Sequence, residues 1–546
     1  MNKHTLTQLG LSLAMLTTAV SCAEIRRSPK ADNFVDVRQQ LAEEARELPT
    51  QSTQEEVSAT YTPILPVSGE VPLSPHTAIV AALQNQPALL LEKLNPQIRE
   101  TYVQQQQAQF DPVLGASIQA GRSRAVSPDL PAITSRQETV SGSVGVSQFL
   151  PTGTSIGLST SLDYADRLEG TRGSYGAGVD LSITQSLLRG AGVKVNLASL
   201  RQARIDLLAS EYELRGYVTS LVQEVENTYW DYALAKRRIE IYNESLNIAK
   251  QQLDEARELV NVGKLAEVEL AAAEAEVALR NEDLINANAN LQTLALQLLR
   301  LVGPTQPDLW DRPITLLTEP FEPQGIIDPV ADHVALAMKM RPDLNQARLQ
   351  IQRGDLELIK TRNGLLPRLD LFIALGKSGY ARSFGSAYNN ITTSSSYDAL
   401  VGLDLQYPLG NRDAQGQHRR AQITRQQAAL SLENLERLAI VDVRSAYIQL
   451  DRTRQQITAT AATRRLQEVT LNNETEKFRL GKSTSLLVAQ AQRDLLAAQI
   501  EEVNSVVSHL KAAVNLFAEE GSLLERRGIV APGAKGVDGL YDWKDR

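Results

Sequence analysis

The spacing of apolar residues along this chain switches between two periods, near 3.6 and near 2, and it does so twice. From Pro75 the pattern is that of an amphipathic helix running to Ala108-Gln109-Phe110-Asp111-Pro112, where proline ends helical pairing. A second such helix runs from about 330 to Pro367. Beyond each proline the period drops to two. Val179, Leu181 and Ile183 alternate with Asp180, Ser182 and Thr184. Leu369, Leu371, Ile373 and Leu375 alternate with Asp370, Phe372, Ala374 and Gly376, and Val401, Leu403, Leu405 and Tyr407 with Gly402, Asp404 and Gln406. These runs predict strands with one apolar and one polar face. Long proline-free stretches follow, from about 193 to 259 and from about 415 to 478. As helices each would extend roughly 100 Å. Each stops at a glycine turn, Asn261-Val262-Gly263-Lys264 or Arg479-Leu480-Gly481-Lys482, and a returning helix then runs to Gly303 or Gly521.

In the first returning helix Leu270, Val277, Leu284, Leu291 and Leu298 fall every seven residues; in the second, Leu496, Val503, Leu510 and Phe517 do. Such a period makes helices coil against neighbours, and Ala271, Ala272, Ala273, Ala275 and Ala278 widen that contact face. Landmark residues reveal a duplication. Pro87, Pro112 and Gly121 return as Pro342, Pro367 and Gly376, a constant offset of 255. Tyr229, Gly263 and Gly303 return as Tyr447, Gly481 and Gly521, an offset of 218. The 37-residue difference between the offsets lies in the strand region of the first copy. It holds Val144-Gly145-Val146 and Ile156-Gly157-Leu158 around Pro151-Thr152-Gly153, which read as one additional hairpin. That hairpin either joins the sheet or stands out as a loop. Copies of this length are fold-sized halves, not solenoid units.

Composition narrows the class further. A chain of 546 residues exceeds a single core, and a net charge of −8 argues against a nucleic-acid partner. Residues 1–22 read as an export signal: Lys3 and His4, then an apolar run over 11–20 that is too short to span a bilayer. It ends in Ala19-Val20-Ser21-Cys22, which resembles a bacterial lipobox with acylation of Cys22, the chain's single cysteine. Ala23 in place of aspartate would then direct the lipoprotein to the outer membrane. Cleavage after Ser21-Cys22-Ala23 is the alternative and would discard the thiol. Residues 23–74 form a polar arm, 75–303 the first repeat and 304–329 a connector with Pro304, Pro307, Pro313, Pro320, Pro323 and Pro329. Residues 330–521 form the second repeat and 522–546 a tail. No apolar run past the signal suits a membrane helix, so any crossing would need a closed β-barrel. His4, His76, His333, His418 and His509 are scattered, and no phosphate loop or nucleophile elbow occurs. The sequence therefore points to no enzyme and assigns no catalytic residue, metal or cofactor.

Helix, strands, long helix, glycine turn and returning helix, all given twice, resemble the layout of the TolC-type outer-membrane efflux channel family. The resemblance covers about 75–521 and is carried by Ile183-Thr184-Gln185-Ser186-Leu187, Arg341-Pro342-Asp343-Leu344, Leu365-Leu366-Pro367-Arg368-Leu369 and Phe478-Arg479-Leu480-Gly481-Lys482-Ser483. It implies an α+β membrane protein: a homotrimer sharing one outer-membrane β-barrel, continued by a long periplasmic α-helical barrel with the proline connector at its equator. Four strands per chain would give a barrel of twelve. The implied function is a passive exit duct for efflux or type I secretion, fed by an inner-membrane pump through a periplasmic adaptor. Gly263, Lys264, Gly481 and Lys482 would lie at the periplasmic tip where the adaptor docks, although a plain helix reversal also calls for glycine. Some members carry acids six and nine residues after the second glycine; here those positions are Leu487 and Gln490. Glu267 and Glu269 follow the first glycine instead. They would form a gating ring of negative charge, or else part of a solvated face that Glu274 and Glu276 continue. The competing class is a non-conducting structural protein that tethers the envelope. Cys22→Ala is expected to abolish fatty-acid labelling of the chain; an unlabelled parent protein would reject acylation.

Overall fold

The computed structural model describes residues 69–126, 134–167, 174–263, 266–303, 307–321, 327–480, 482–534 and 536–537. Cys22, the signal, most of the arm, Lys264 and Gly481 lie outside the described residues.

One helix was expected at the start of each half, and two stand there. They are α1 (Pro75–Asn85) with α2 (Pro87–Gln107), and, later in the chain, α5 (Val330–Met340) with α6 (Pro342–Gly364). Proline suits the first position of a helix but forces the preceding residue out of the helical region. Gln86 (ψ 114°) and Arg341 (ψ 125°) are accordingly extended. Ser74 opens α1 with a capping box: its Oγ accepts from Thr77 N at 3.1 Å, and Thr77 Oγ1 accepts from Ser74 N at 2.7 Å.

The alternating stretches fold into one antiparallel sheet. Its strands are β2 (Val113–Val126), β3 (Thr134–Leu150), β4 (Thr154–Arg167), β5 (Ser174–Ser186), β7 (Arg368–Ala381) and β8 (Tyr397–Gln406), in the order β2-β3-β4-β5-β7-β8. The additional hairpin is β3–β4, a full member of the sheet, so the described sheet has six strands where four were expected. Register aligns the two faces from strand to strand. Leu114, Val146, Leu158, Leu181, Leu375 and Ala399 follow one another across all six strands. In the neighbouring row Gly115, Gly145, Ser159, Asp180, Gly376 and Asp398 do the same on the opposite face. A slip of one residue would exchange these faces, so the apolar pattern fixes the pairing. Between β7 and β8, α7 (Phe384–Thr393) crosses the apolar face, with Ala387 and Ile391 buried against Leu162 and Ala177. The sequence reading missed it: the helix is only ten residues long and lies between two strands.

Four long helices make up most of the remaining described structure: α3 (Ala198–Asn261), α4 (Glu267–Val302), α8 (Arg412–Arg479) and α9 (Ser485–Glu519). At 64 and 68 residues, α3 and α8 extend about 96 and about 102 Å. Near the sheet the packing order is α2-α3-α6-α8; toward the glycine turns it is α4-α3-α9-α8. The wall is thus four helices wide at both levels. All the residues at seven-residue spacing on α4 and α9 are at least half-buried. Among the described residues no helix is long and apolar enough to cross a membrane.

The main core lies midway along the wall, and the supposed arm, connector and tail all contribute to it. β1 (Val71–Leu73) pairs in parallel with β6 (Ile314–Leu316), and Val71 and Leu73 are fully buried. Tyr229 Oη donates to Thr318 O at 2.9 Å and Tyr232 Oη to Ile314 O at 3.2 Å, fastening this ribbon to α3. From the tail, α10 (Leu523–Arg526) buries Leu523 and Leu524, and Arg527 grips Glu226 with two bonds of 2.9 and 2.6 Å. Such pairings join segments far apart in the chain, which local patterns do not announce. Gly303 (φ 66°) ends α4, and a Cβ there would stand 2.9 Å from Asn85 O. Gly303→Ala should therefore lower stability by about 1–3 kcal/mol. Gly216→Ala, inside α3 where a Cβ would meet only Pro342 Cβ at 3.8 Å, should raise it by about 0.5–1 kcal/mol. Thermal unfolding of the two variants checks both signs.

Candidate functional site

Two surfaces are candidates for function, and the first is the pair of helix reversals. α3 closes with Gly263 at φ 72°, its N–H donating to Val260 O at 3.0 Å. Glu267 and Glu269 then open α4, where carboxylates favour the positive end of the helix dipole. On the second reversal Lys482 N donates to Lys477 O at 2.8 Å, and Thr484 caps α9 by accepting from Leu487 N at 3.4 Å. Ser485 Oγ donates to Glu269, which brings the two reversals of the chain together. Of the residues singled out, Gly263, Lys482, Glu267 and Glu269 are described. Glu267 is exposed, whereas Glu269 is half-buried at the contact with Ser485. The acids beyond them do not form one uniform face. Glu274 pairs with Arg257 at 3.5 Å, and Glu276 with the buried Arg280 at 2.5 Å. Across the second turn, Lys477 at 2.5 Å and Ser483 at 2.8 Å hold the Glu474 carboxyl below its ordinary range.

Around these turns four large apolar side chains face outward: Val262 (65% exposed), Val268 (82%), Leu480 (70%) and Leu486 (67%). Attention to glycines and charges missed them. Their signal was present, since each sits beside a reversal where no helix neighbour can cover it. An apolar crown on an otherwise polar end is the kind of surface that another protein covers.

The second surface is the sheet. Its apolar face on β5 runs from Tyr175 to Ile183, about 26 Å at the rise of a strand, close to the band that lipid requires. At the end of the sheet near α7, Tyr164 and Tyr175 meet at 4.9 Å and Tyr175 meets Phe384 at 5.5 Å, an aromatic group of the kind found at membrane interfaces. The opposite face carries Ser117, Ser143, Ser161, Asp163, Asp180, Asp370 and Asp404, which suit water. Among the described residues no group of three or more His, Cys, Asp or Glu could hold a metal ion.

Comparison with known proteins places this geometry. The outer membrane efflux protein family matches residues 78–304 and 334–521. Three relatives are similar at low identity. The pyoverdine export outer membrane protein OpmQ of Pseudomonas aeruginosa is 24% identical, over 59% of this chain and 66% of its own length. TolC of Escherichia coli is 25% identical (68% and 75%), and the probable outer membrane lipoprotein SilC of Salmonella typhimurium 24% (67% and 77%). The fold matches the Campylobacter jejuni CmeC outer membrane channel with a TM-score of 0.62 at 16% identity, covering 82% of this chain and 86% of that one. With most of its helices and strands inside the matched segments, this chain belongs to the outer membrane efflux protein family.

Proposed function

We propose that three copies of this chain close into a passive outer-membrane exit duct that serves an inner-membrane pump through a periplasmic adaptor. One observation carries the reading: the unsatisfied edges of the sheet and of the helical wall lie on the same two sides of the chain. On one side α2 leads into β2, and Leu91, Leu94, Ile98 and Tyr102 of α2 are exposed. On the other side β8 leads into α8, where Ile423, Leu430, Val441 and Ile448 form an exposed stripe at spacings of seven, eleven and seven residues. An open strand edge cannot persist in lipid, and an apolar helix stripe calls for a helical neighbour. Setting one chain's β8–α8 side against the next chain's α2–β2 side meets both needs, and a threefold ring closes the series. The apolar sheet face then meets lipid and the polar face lines the lumen.

In this arrangement the two repeats supply alternate segments of one wall, with the 304–329 connector around its equator. Gly263, Lys264, Gly481 and Lys482 form the periplasmic tip, and Val262, Val268, Leu480 and Leu486 add the apolar surface on which the adaptor docks. Glu269, tied to Ser485, joins neighbouring hairpins and draws the tip closed; the three Glu267 carboxylates add negative charge there. SilC is named a lipoprotein, which supports acylation of Cys22 as an anchor beside the barrel. The full-length protein should conduct in planar bilayers, and Ser485→Ala should raise mean conductance about twofold by releasing Glu269. Silence of both proteins would sink the duct and favour the tethering alternative. Separately, Val268→Asp with Leu480→Asp should abolish efflux in cells without changing the amount of trimer extracted from membranes; full efflux would remove these residues from the docking surface.

A further inference from the structure

Resting on that three-copy duct, we propose that the β3–β4 hairpin makes the membrane barrel one of eighteen strands, as wide as the helical wall beneath it. The hairpin would thereby set the size of cargo that leaves. Three features argue that it is a permanent wall segment and not a flap. First, its ladders are complete: residues 113–126 of β2 pair with 134–147 of β3, residues 137–150 of β3 with 154–167 of β4, and residues 154–165 of β4 with 174–185 of β5. Second, its faces continue those of its neighbours, with Val140, Val144, Val146, Ile156, Leu158 and Leu162 on the apolar side. Third, its turn is bolted into the junction between sheet and helices. Gly192 N donates to Thr152 O at 3.1 Å, Ser186 N to Gly153 O at 3.0 Å, and Asn196 Nδ2 to Pro151 O at 3.0 Å and Gly190 O at 2.9 Å. Gly153 sits at φ 88°, and a Cβ there would come within 2.3 Å of Gly190 O.

Strand count decides width. Adding a hairpin keeps the number per chain even, so β8 of one copy still meets β2 of the next antiparallel, as all-antiparallel closure demands. Strands about 4.8 Å apart and tilted by about 40° occupy about 6.3 Å of circumference each. Twelve would enclose a backbone diameter of about 24 Å and eighteen about 36 Å. The wall is four helices wide per chain, so three chains give twelve helices; at about 8–10 Å each they enclose about 31–38 Å. Eighteen strands therefore continue the helical tunnel without a neck, whereas twelve would pinch it at the sheet. The polar face is also lined by small residues, among them Gly115, Ser117, Ser143, Gly145, Ser159, Ser161 and Ser182, which leave most of that width free. The cargo class this fits is a hydrated solute or chain segment of about 20–25 Å, too bulky for a twelve-stranded barrel of about 14 Å clear width.

A density map of the full chain in lipid nanodiscs tests this directly. Eighteen strand ladders in a threefold ring as broad as the helical wall are expected. A threefold ring of twelve ladders with β3–β4 outside it overturns this inference and leaves the duct standing; a particle without a threefold axis overturns both. Independently, Ser182→Cys places a thiol on the polar face. Applied from outside to intact cells, maleimide-polymers of about 20 Å hydrodynamic diameter should label it as fully as small maleimides do. Labelling by small maleimide with at least about a tenfold loss for polymers above about 14 Å would overturn the wide lumen.

Discussion

A backbone N–H or C=O left unpaired in hydrocarbon costs several kcal/mol, and this single constraint orders the rest of the molecule. It requires the six strands to pair with one another and, in the proposed duct, requires the outer strands to find partners in neighbouring chains. Among the described residues β2 and β8 each pair on one side only. The helical wall inherits the problem in milder form: its edge helices keep apolar stripes that water tolerates but a neighbouring chain covers better. Closure of the sheet and closure of the wall are one requirement met at two heights.

Between those heights the chain needs a rigid joint, and the mid-wall core supplies it. Arg341 reaches three carboxylates, Asp343 at 2.9 Å, Glu519 at 3.0 Å and Asp442 at 3.3 Å, tying the break between α5 and α6 to α8 and the end of α9. Burial pushes the Glu519 carboxyl up while the guanidinium pulls it back. Lys511 bonds Asp231 at 2.8 and 2.7 Å, joining α9 to α3. The Lys511–Asp231 pair links the two halves of the sequence, as the β5–β7 ladder does in the sheet, whereas Arg341 braces the second half internally.

Much of this could be read from residues alone. Val179-Leu181-Ile183 and Leu369-Leu371-Ile373-Leu375 announced strands whose faces the register then preserved, because a period of two survives any local bend. The glycines at 263 and 303 marked helix ends, since each takes a positive φ that other residues resist. What stayed hidden depends on partners distant in sequence. Val71-Pro72-Leu73 looked like a loose arm until Ile314 supplied its pairing, and Leu523-Leu524 looked like tail until α3 covered them. The short helix at 384–393 was hidden for another reason: its apolar side is just Phe384, Ala387 and Ile391. At the candidate site, the acids after Gly263 were legible as charges, but the bond from Ser485 to Glu269 crosses between hairpins.

The β5–β7 ladder has a temporal consequence. It joins Ile183 to Ile373, so the whole first half, the connector, α5 and α6 must leave the inner membrane before the sheet can gain its fifth strand. Until then β5 presents a long unpaired edge with an apolar face beside it, the feature that recruits foreign strands and drives aggregation. The loop to be closed is long and its contacts are non-local, which makes this step slow. Escort through the periplasm is therefore a demand written into the strand order itself: the chain must be kept single until its own second half arrives.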